Sequence, residues 1–459
     1  MKKRVVRISG KHYQSLREHL FPGDGCEAVA LALCGRLETA TTQGLMVHKL
    51  LLIPHDQCHE RTPMRVSWSA AVGMDLYEEA MAKKMAILKI HSHPTDYADF
   101  SETDDYSDTE LFSSLHGWTD DGLPHASAVM MQGGDMIARF VTADLKFEPV
   151  DCVTVAGSDL TFFRRTLKGS KFAEAQLRTA QAFGDKTVKQ LASLTVGVVG
   201  TSGTGSWIIE QLSRLGVGKL VLVDPDEMED KNLNRIINSR ASDSALSMPK
   251  VMVLAKAILE TGLVREVEPI QDSCFSQRTI KSLAACDILF GCMDKYDGRD
   301  CLNRIASIYC LPYFDVGVRL DADGKGGVSV VCGSVHYILP GGSSLFSRGV
   351  YTAEDLRVAS LKRKNPEQYQ AELAEGYIKG AKVESPAVVS INGLCATIAI
   401  NDFLARLHPF RYDSNAEICW QTFDLVNNAF SSNQDGPVCQ ILNKYVGRGD
   451  MSPLLGCVF

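Results

Sequence analysis

At 459 residues the chain is long enough for two to four folding units of about 100–200 residues each, so no single small binding module accounts for it. Hydrophobic residues at 45% and charged residues at 22% exclude a largely disordered or fibrous chain. A net charge of −7 argues against a global attraction to nucleic acid or to an anionic membrane, and no apolar run approaches the ~18–20 residues of a spanning helix.

The basic start at residues 1–7 leads into polar residues and not into a signal-peptide core, so a cytoplasmic protein is expected. Fourteen cysteines spread along the chain without any CxxC spacing suit a reducing compartment, and most read as buried thiols. Any metal is therefore to be sought among histidines and carboxylates.

In chain order, apolar runs at 28–33 and 45–53 read as strands, 74–85 as a helix and 86–91 as a strand, with 129–141 closing the segment as a strand pair. A polar stretch at 151–170 follows. Residues 172–191 carry Leu177, Ala180, Val188 and Leu191 at helical spacing, interrupted at Phe183-Gly184. The texture then changes to strand 195–199, glycine turn 200–206, helix 207–215 and strand 219–223. It continues through helix 251–259, strand 288–291, helix 299–309 and strand 313–316. Such alternation predicts a parallel sheet with crossover helices. A charged segment, 348–382, interrupts it before an apolar helix at 388–407, and the tail from His408 is weakly periodic.

The first chemistry lies at 91–104. His91 and His93 are two apart at the end of an apolar strand, which sends both imidazoles to one face and Ser92 to the other. Pro94 ends the strand. Ser101, three residues before Asp104, reads as a helix N-cap with a first-turn carboxylate. Two histidines, an aspartate and a vacant position make a catalytic zinc site whose fourth ligand is an ionisable water. Glu27 can reach that water and carry its proton to a leaving amine; Glu38 and Glu60 are the other candidates in this segment.

His91-Ser-His93-Pro, Ser101-x-x-Asp104 and Cys26-Glu27-Ala28 followed by Gly35 together resemble the JAB/MPN (JAMM) metalloproteases, which remove ubiquitin-like proteins from targets or trim their C-termini. The resemblance implies zinc on His91, His93 and Asp104, Glu27 as general acid/base, and Ser101 stabilising the oxyanion.

The second chemistry is Gly200-x-x-Gly203-x-Gly205-Ser206 between a strand and a helix, a turn that offers backbone N–H groups and a helix N-terminus to a phosphate. The dinucleotide fingerprint would need glycine where Ser202 and Thr204 stand, which weakens a nicotinamide oxidoreductase reading. Asp224 ends the next strand, placed for ribose hydroxyls. Arg235 and Lys250 can neutralise phosphates, and Asp294 can hold Mg²⁺ beside them.

With Asp224-x-Asp226, Asn232-Leu-x-Arg235, Pro249-Lys250 and Cys292-Met-Asp294 in that order, residues 172–407 resemble the ThiF/MoeB/ubiquitin-activating adenylyltransferases. This implies use of Mg-ATP to adenylate the C-terminal carboxylate of a ubiquitin-like or sulfur-carrier protein. Asp224 would hold the ribose, Asn232, Arg235 and Lys250 the phosphates, and Asp294 magnesium. Arg178 matches the region where family members supply an arginine to a neighbouring subunit's ATP, which implies a homodimer. The family's paired CxxC zinc motifs are absent, the first falling near Gly341-Gly-Ser-Ser344, and the crossover at 348–389 holds no cysteine for a thioester. Cys332 and Cys395 read as core thiols, and Cys439 as the most exposed candidate.

The expected architecture is α/β: a mixed JAB/MPN domain (1–145), a linker and lead-in helix (146–192), a Rossmann-like, largely parallel-sheet adenylyltransferase domain (193–407), and a tail (408–459) packed on the latter. The whole resembles fused proteins of bacterial ubiquitin-like conjugation systems. That resemblance implies a ubiquitin-like partner, a conjugating-enzyme homologue and a role in antiviral defence. The alternatives are a sulfur-carrier adenylyltransferase of cofactor biosynthesis and a non-catalytic modifier-binding protein.

Overall fold

A computed structural model describes residues 2–167, 174–323, 325–375 and 387–456, which fall into two compact units. Parts of the expected lead-in segment (172–173) and of the charged segment (376–382) lie outside the described residues.

The first unit runs β1 (Lys3–Ser9), α1 (Gly10–Leu20), β2 (Val29–Glu38), β3 (Thr42–Leu52), a hairpin of β4 (Cys58–Thr62) and β5 (Arg65–Trp68), α2 (Met74–Lys83), β6 (Ala86–His93), α3 (Glu102–Thr119), β7 (His125–Met131), β8 (Met136–Val141), β9 (Phe147–Pro149), β10 (Cys152–Ala156) and β11 (Leu160–Arg164). Nine strands form one mixed sheet in the order β11-β10-β1-β3-β2-β6-β7-β8-β9. Alternation along the strands builds two cores. Ala30, Ala32, Leu88 and Ile90 face Leu16 and Leu20 of α1. Val29, Leu31, Leu33 and Ile87 face Leu76 and Tyr77 of α2 and Phe112 and Leu115 of α3.

This sheet passes the boundary expected at residue 145. The run Cys-Val-Thr-Val-Ala of β10, entirely buried, pairs parallel to β1, while β11 closes the edge. The polar residues around that run hide it in the sequence, as Arg4 and Arg7 hide β1.

The unit also contains residues 307–310 and 444–456, while residues 408–443 of the expected tail belong to the second unit. Glycine makes the contact possible. Gly35 N–H donates to Gly447 O at 3.0 Å, and a Cβ on Gly447 would lie 2.2 Å from Val47 O.

The second unit comprises α4 (Leu177–Leu191), β12 (Thr195–Val199), α5 (Gly203–Arg214), β13 (Lys219–Val223), α6 (Ala241–Ala245), α7 (Lys250–Thr261), β14 (Glu266–Ile270), α8 (Gln277–Ala284), β15 (Ile288–Gly291), α9 (Tyr296–Ile308), β16 (Tyr313–Ala322), β17 (Val328–Ile338), α10 (Ala353–Lys364), α11 (Pro366–Ala374), α12 (Val389–Leu407), β18 (Trp420–Asp424) and β19 (Ala429–Asn433). Gly184 leaves helical geometry (φ 79°) and kinks α4 where the apolar period breaks.

Its sheet runs β14-β13-β12-β15-β16-β17-β18-β19. The strands from β14 to β16 are parallel, as the alternation predicts. β17, β18 and β19 add an antiparallel extension, part of it drawn from the tail. The order reverses between β12 and β15, so their C-terminal ends open a crevice suited to a ligand.

Candidate functional site

In the first unit, β6 pairs antiparallel with β2, Val29 opposite His91, and Glu27, just before β2, interacts electrostatically with His93 and Asp104. Ser92 points to the other face, where its Oγ accepts from Ala28 N–H at 2.9 Å and pins the end of the strand. Both histidines therefore lie on the face that α3 covers. Ser101 caps α3, its Oγ accepting from Asp104 N–H at 3.2 Å while Asp104 Oδ2 accepts from Ser101 N–H at 2.7 Å, a complete capping box. The cap aims Asp104 back at the strand end.

His91 Nε2, His93 Nε2 and the Asp104 carboxylate converge. Asp104 Oδ1 is 2.8 Å from His91 Nε2, Asp104 Oδ2 is 3.5 Å from His93 Nε2, and the two nitrogens are 3.1 Å apart. Tetrahedral ligands on zinc stand about 3.3 Å apart, so the donor set fits the ion. His93 Nδ1–H donates to Tyr97 O at 2.7 Å, leaving a lone pair on Nε2 directed into the cluster. These three residues form a group able to hold a metal ion among the described residues.

Burial favours the neutral acid at Asp104, but the imidazoles of His91 and His93 facing it hold its carboxyl far below the usual range. Burial pushes His91 down. His93 moves up, its bonds to Asp104 and Tyr97 O outweighing burial. Glu27 is 6% exposed and pushed up to about 7 by burial, reinforced by Asp104 and opposed by His93 and Lys89. Glu38 stands at the far end of β2, and Glu60 pairs with Arg65. Ser101 donates its hydroxyl to Asp104 at 2.8 Å and so orients that carboxylate.

In the second unit the glycine turn lies at the crevice between β12 and β15. Gly200 has φ +89°, and a Cβ on Gly205 would sit 1.8 Å from Gly200 O, so α5 starts in contact with the turn. Asp224, at the end of β13, accepts from Thr201 N–H at 2.7 Å and from Asp226 N–H at 3.0 Å. Burial raises its pKa against these bonds.

Lys250, 5% exposed, begins α7 and reaches Asp226 Oδ2 at 2.8 Å. The stem of Arg235 lies against Gly203, as does Asn392 of α12, whose Oδ1 accepts from Thr204 Oγ1 at 3.3 Å. Asp294 is exposed two residues beyond Cys292, whose N–H donates to Val199 O at 2.8 Å beside Gly200.

Three candidates have other contacts here. Ser206 Oγ donates to Gly203 O inside its own helix. Asn232 Oδ1 accepts from Glu229 N–H in a tight turn. Arg178 bonds Gln181, and nearby Gln176 is tied to Arg214 O, at the end of α5 away from the glycine turn, about 18 Å along the helix. Within one chain Arg178 does not approach the turn.

Cys439 is 2% exposed, against the expectation of an exposed thiol, because its segment folds onto Gly342 O. Cys395 is fully buried and Cys332 half-buried. Asn392 escaped notice in the sequence; its signal was an amide near the start of an otherwise apolar helix.

The doubly wound sheet and the glycine turn at its reversal point define a nucleotide-binding α/β protein. The ThiF family model matches residues 174–434, more than half the chain, and the chain belongs to that family. Over 211 residues it is 26% identical to ubiquitin-like modifier-activating enzyme 5 of Culex quinquefasciatus, covering 44% of this chain and 51% of that protein. The same enzyme of Drosophila willistoni is 24% identical over 238 residues, 48% and 57% respectively. The chain thus spans about half the length of these curated relatives. Among solved structures, E. coli MccB with ATP aligns over 60% of this chain and 75% of its own, at TM-score 0.43 and 14% identity. PaaA aligns over 61% and 88%, at TM-score 0.42 and 19% identity. No helix among the described residues is long and apolar enough to cross a membrane.

Proposed function

We propose that the second unit activates a carboxylate with ATP and that the first hydrolyses an amide or isopeptide bond, both acting on the C-terminal tail of a separate ubiquitin-like protein. The adenylating half is carried by the glycine turn at the sheet's reversal point, with Asp224, Arg235 and Lys250 around it, in a chain of the ThiF family. The tail carboxylate attacks the α-phosphorus. The new O–P bond forms as the bond to the β-phosphate oxygen breaks, and pyrophosphate leaves with the electron pair. The N–H groups of 200–206 cradle phosphate and Asp224 accepts from the ribose. Arg235, Lys250 and Asn232 hold the phosphates, and Lys250 exchanges Asp226 for them. Asp294 holds magnesium, which when bound neutralises phosphate charge. Arg178 serves a second copy's nucleotide, making the active form a homodimer, and a conjugating-enzyme homologue receives the activated tail.

The hydrolytic half is carried by the convergence of His91, His93 and Asp104. Zinc held there supplies Lewis-acid polarisation and an acidified water. Glu27 would take a proton from the attacking water as its oxygen bonds the carbonyl carbon, and deliver that proton to the amine as the C–N bond breaks, a double duty that suits a pKa near neutrality. Ser101, whose hydroxyl now donates to Asp104 Oδ2, exchanges that bond for one to the oxygen that becomes negative at the scissile carbonyl.

Two measurements test these halves separately. A candidate modifier with ATP and Mg²⁺ should give pyrophosphate exchange that Asp294→Ala abolishes; no exchange with any such partner removes the adenylation reading. Metal analysis should give one zinc per chain, lost in His91→Ala; retention of zinc in that variant removes the hydrolase reading.

A further inference from the structure

Lys89 lies two residues before His91 on the same face of β6 and is 2% exposed. Its ammonium donates to Asp108 Oδ1 at 2.7 Å and to Ser107 Oγ at 3.0 Å. Asp108 is fully buried, one helical turn after Asp104 on α3. Its other oxygen accepts from Arg139 of β8, from Nη2 at 2.7 Å and Nε at 3.2 Å. Arg139 Nη1 also bonds Asp105. The guanidinium carbon lies over two rings, 3.9 Å from the centre of Phe100 and 3.7 Å from that of Phe147. Phe100 immediately precedes the cap Ser101.

Two cations on one buried carboxylate are a costly way to hold a helix, because each charge leaves water and must be matched by its partner. A leucine at position 108 facing aliphatic residues would pack as well. What the charges add is directionality: Lys89 and Arg139 approach Asp108 from two different strands and fix the rotation of α3 about its axis. A one-residue slip turns a helix by about 100° and would carry Asp104 off the histidines.

We propose that Lys89, Asp108 and Arg139, with Phe100, are positioning residues for the metal centre, setting the start of α3 so that Asp104 and Ser101 meet His91 and His93. The inference rests on reading the triad as a metal site. It assigns these four residues no contact with substrate.

The test uses the full chain and reads metal binding directly. Zn²⁺ affinity is measured by competition with a chromogenic chelator, and ligand geometry by the visible absorption of the Co²⁺-loaded protein. Arg139→Lys keeps the charge but has no planar fork to bond Asp105 and Asp108 at once while contacting both rings. It should weaken Zn²⁺ binding about tenfold and alter the Co²⁺ spectrum, with a cooperative thermal transition retained. Phe100→Ala, which removes one ring of the stack, should shift both readouts in the same direction by less, and it decides the matter if Arg139→Lys does not fold. Unchanged affinity and spectrum in a folded variant overturn the proposal. His91→Ala separates the two failures. If it loses zinc while the positioning variants do not change, only the positioning role falls; if it binds zinc normally, the metal reading itself falls.

Discussion

Gly205→Ala offers a sharp test of how the nucleotide turn is built. The added Cβ would lie 1.8 Å from Gly200 O, where real contacts do not come below 3.0 Å, so the turn and α5 must part by about 1.2 Å. Gly200 O is backbone and the Cβ is fixed rigidly to the backbone of α5, so no side-chain rotation can absorb the shift. A displacement of about 1 Å in a positioning element costs on the order of 100-fold in rate, and overpacking of this kind about 1–3 kcal/mol in stability. The expected result is a folded protein, several degrees less stable, with ATP affinity and pyrophosphate exchange reduced by about two orders of magnitude.

Gly203→Ala is the matched control. There the Cβ would meet Asn392 Nδ2 at 2.3 Å, the far end of a side chain, so the loss should be milder and Asn392→Ala should restore most of it. Isothermal titration with ATP and a thermal melt on all four proteins supply the numbers. ATP binding by folded Gly205→Ala within threefold of wild type would refute the claim that this close approach shapes the phosphate cradle.

Glu27→Gln should abolish peptide hydrolysis while leaving zinc stoichiometry unchanged; concomitant loss of zinc would make Glu27 a ligand and not a base. Asp315→Asn removes the buried partner of Arg299, which contacts it through Nε at 3.0 Å, and should cost about 3–5 kcal/mol in a denaturant titration because the cation is left unmatched. A loss under about 1 kcal/mol would show that the pair is not needed. Asp108 is held below its ordinary pKa by Lys89 and Arg139 against the effect of burial. The stability it contributes is therefore present above about pH 4 and lost as pH falls through its lowered folded pKa. Wild type should lose melting temperature between pH 5 and 3 more steeply than Asp108→Asn, and parallel slopes would contradict the ion-pair assignment.

The elements that carry the candidate chemistry were legible because they obey local rules. A period of two aligned His91 with His93, a three-residue cap spacing linked Ser101 to Asp104, and glycines marked the turn after β12. Other features depend on partners far away in sequence. β1 and β10 are short, carry charges or lie among polar residues, and become strands by pairing with each other about 147 positions apart. Nothing local singles out Lys89 or Arg139, because Asp108 becomes a carboxylate buried between them only when β6, β8 and α3 are assembled. Cys439 looked exposed beside Asp-Gly-Pro, a breaker that marks a turn but says nothing of what packs over it. Asn392 acquires meaning only once α12 is set against the start of α5.

The backbone contact of Gly35 with Gly447 bears on how the protein is made. The first compact unit contains residues 2–166 and is completed by residues 444–456, with 277 residues (167–443) emerging from the ribosome between the two. At about 5–20 residues per second that interval lasts on the order of tens of seconds. During it the bulged stretch of β2 near Cys34 lacks the strand-like cover that Gly447 and Gly449 provide. The N-terminal unit therefore cannot reach its described form before residues 444–456 have been synthesised. Any hydrolytic competence that depends on it arrives only after the nucleotide-binding unit has been translated.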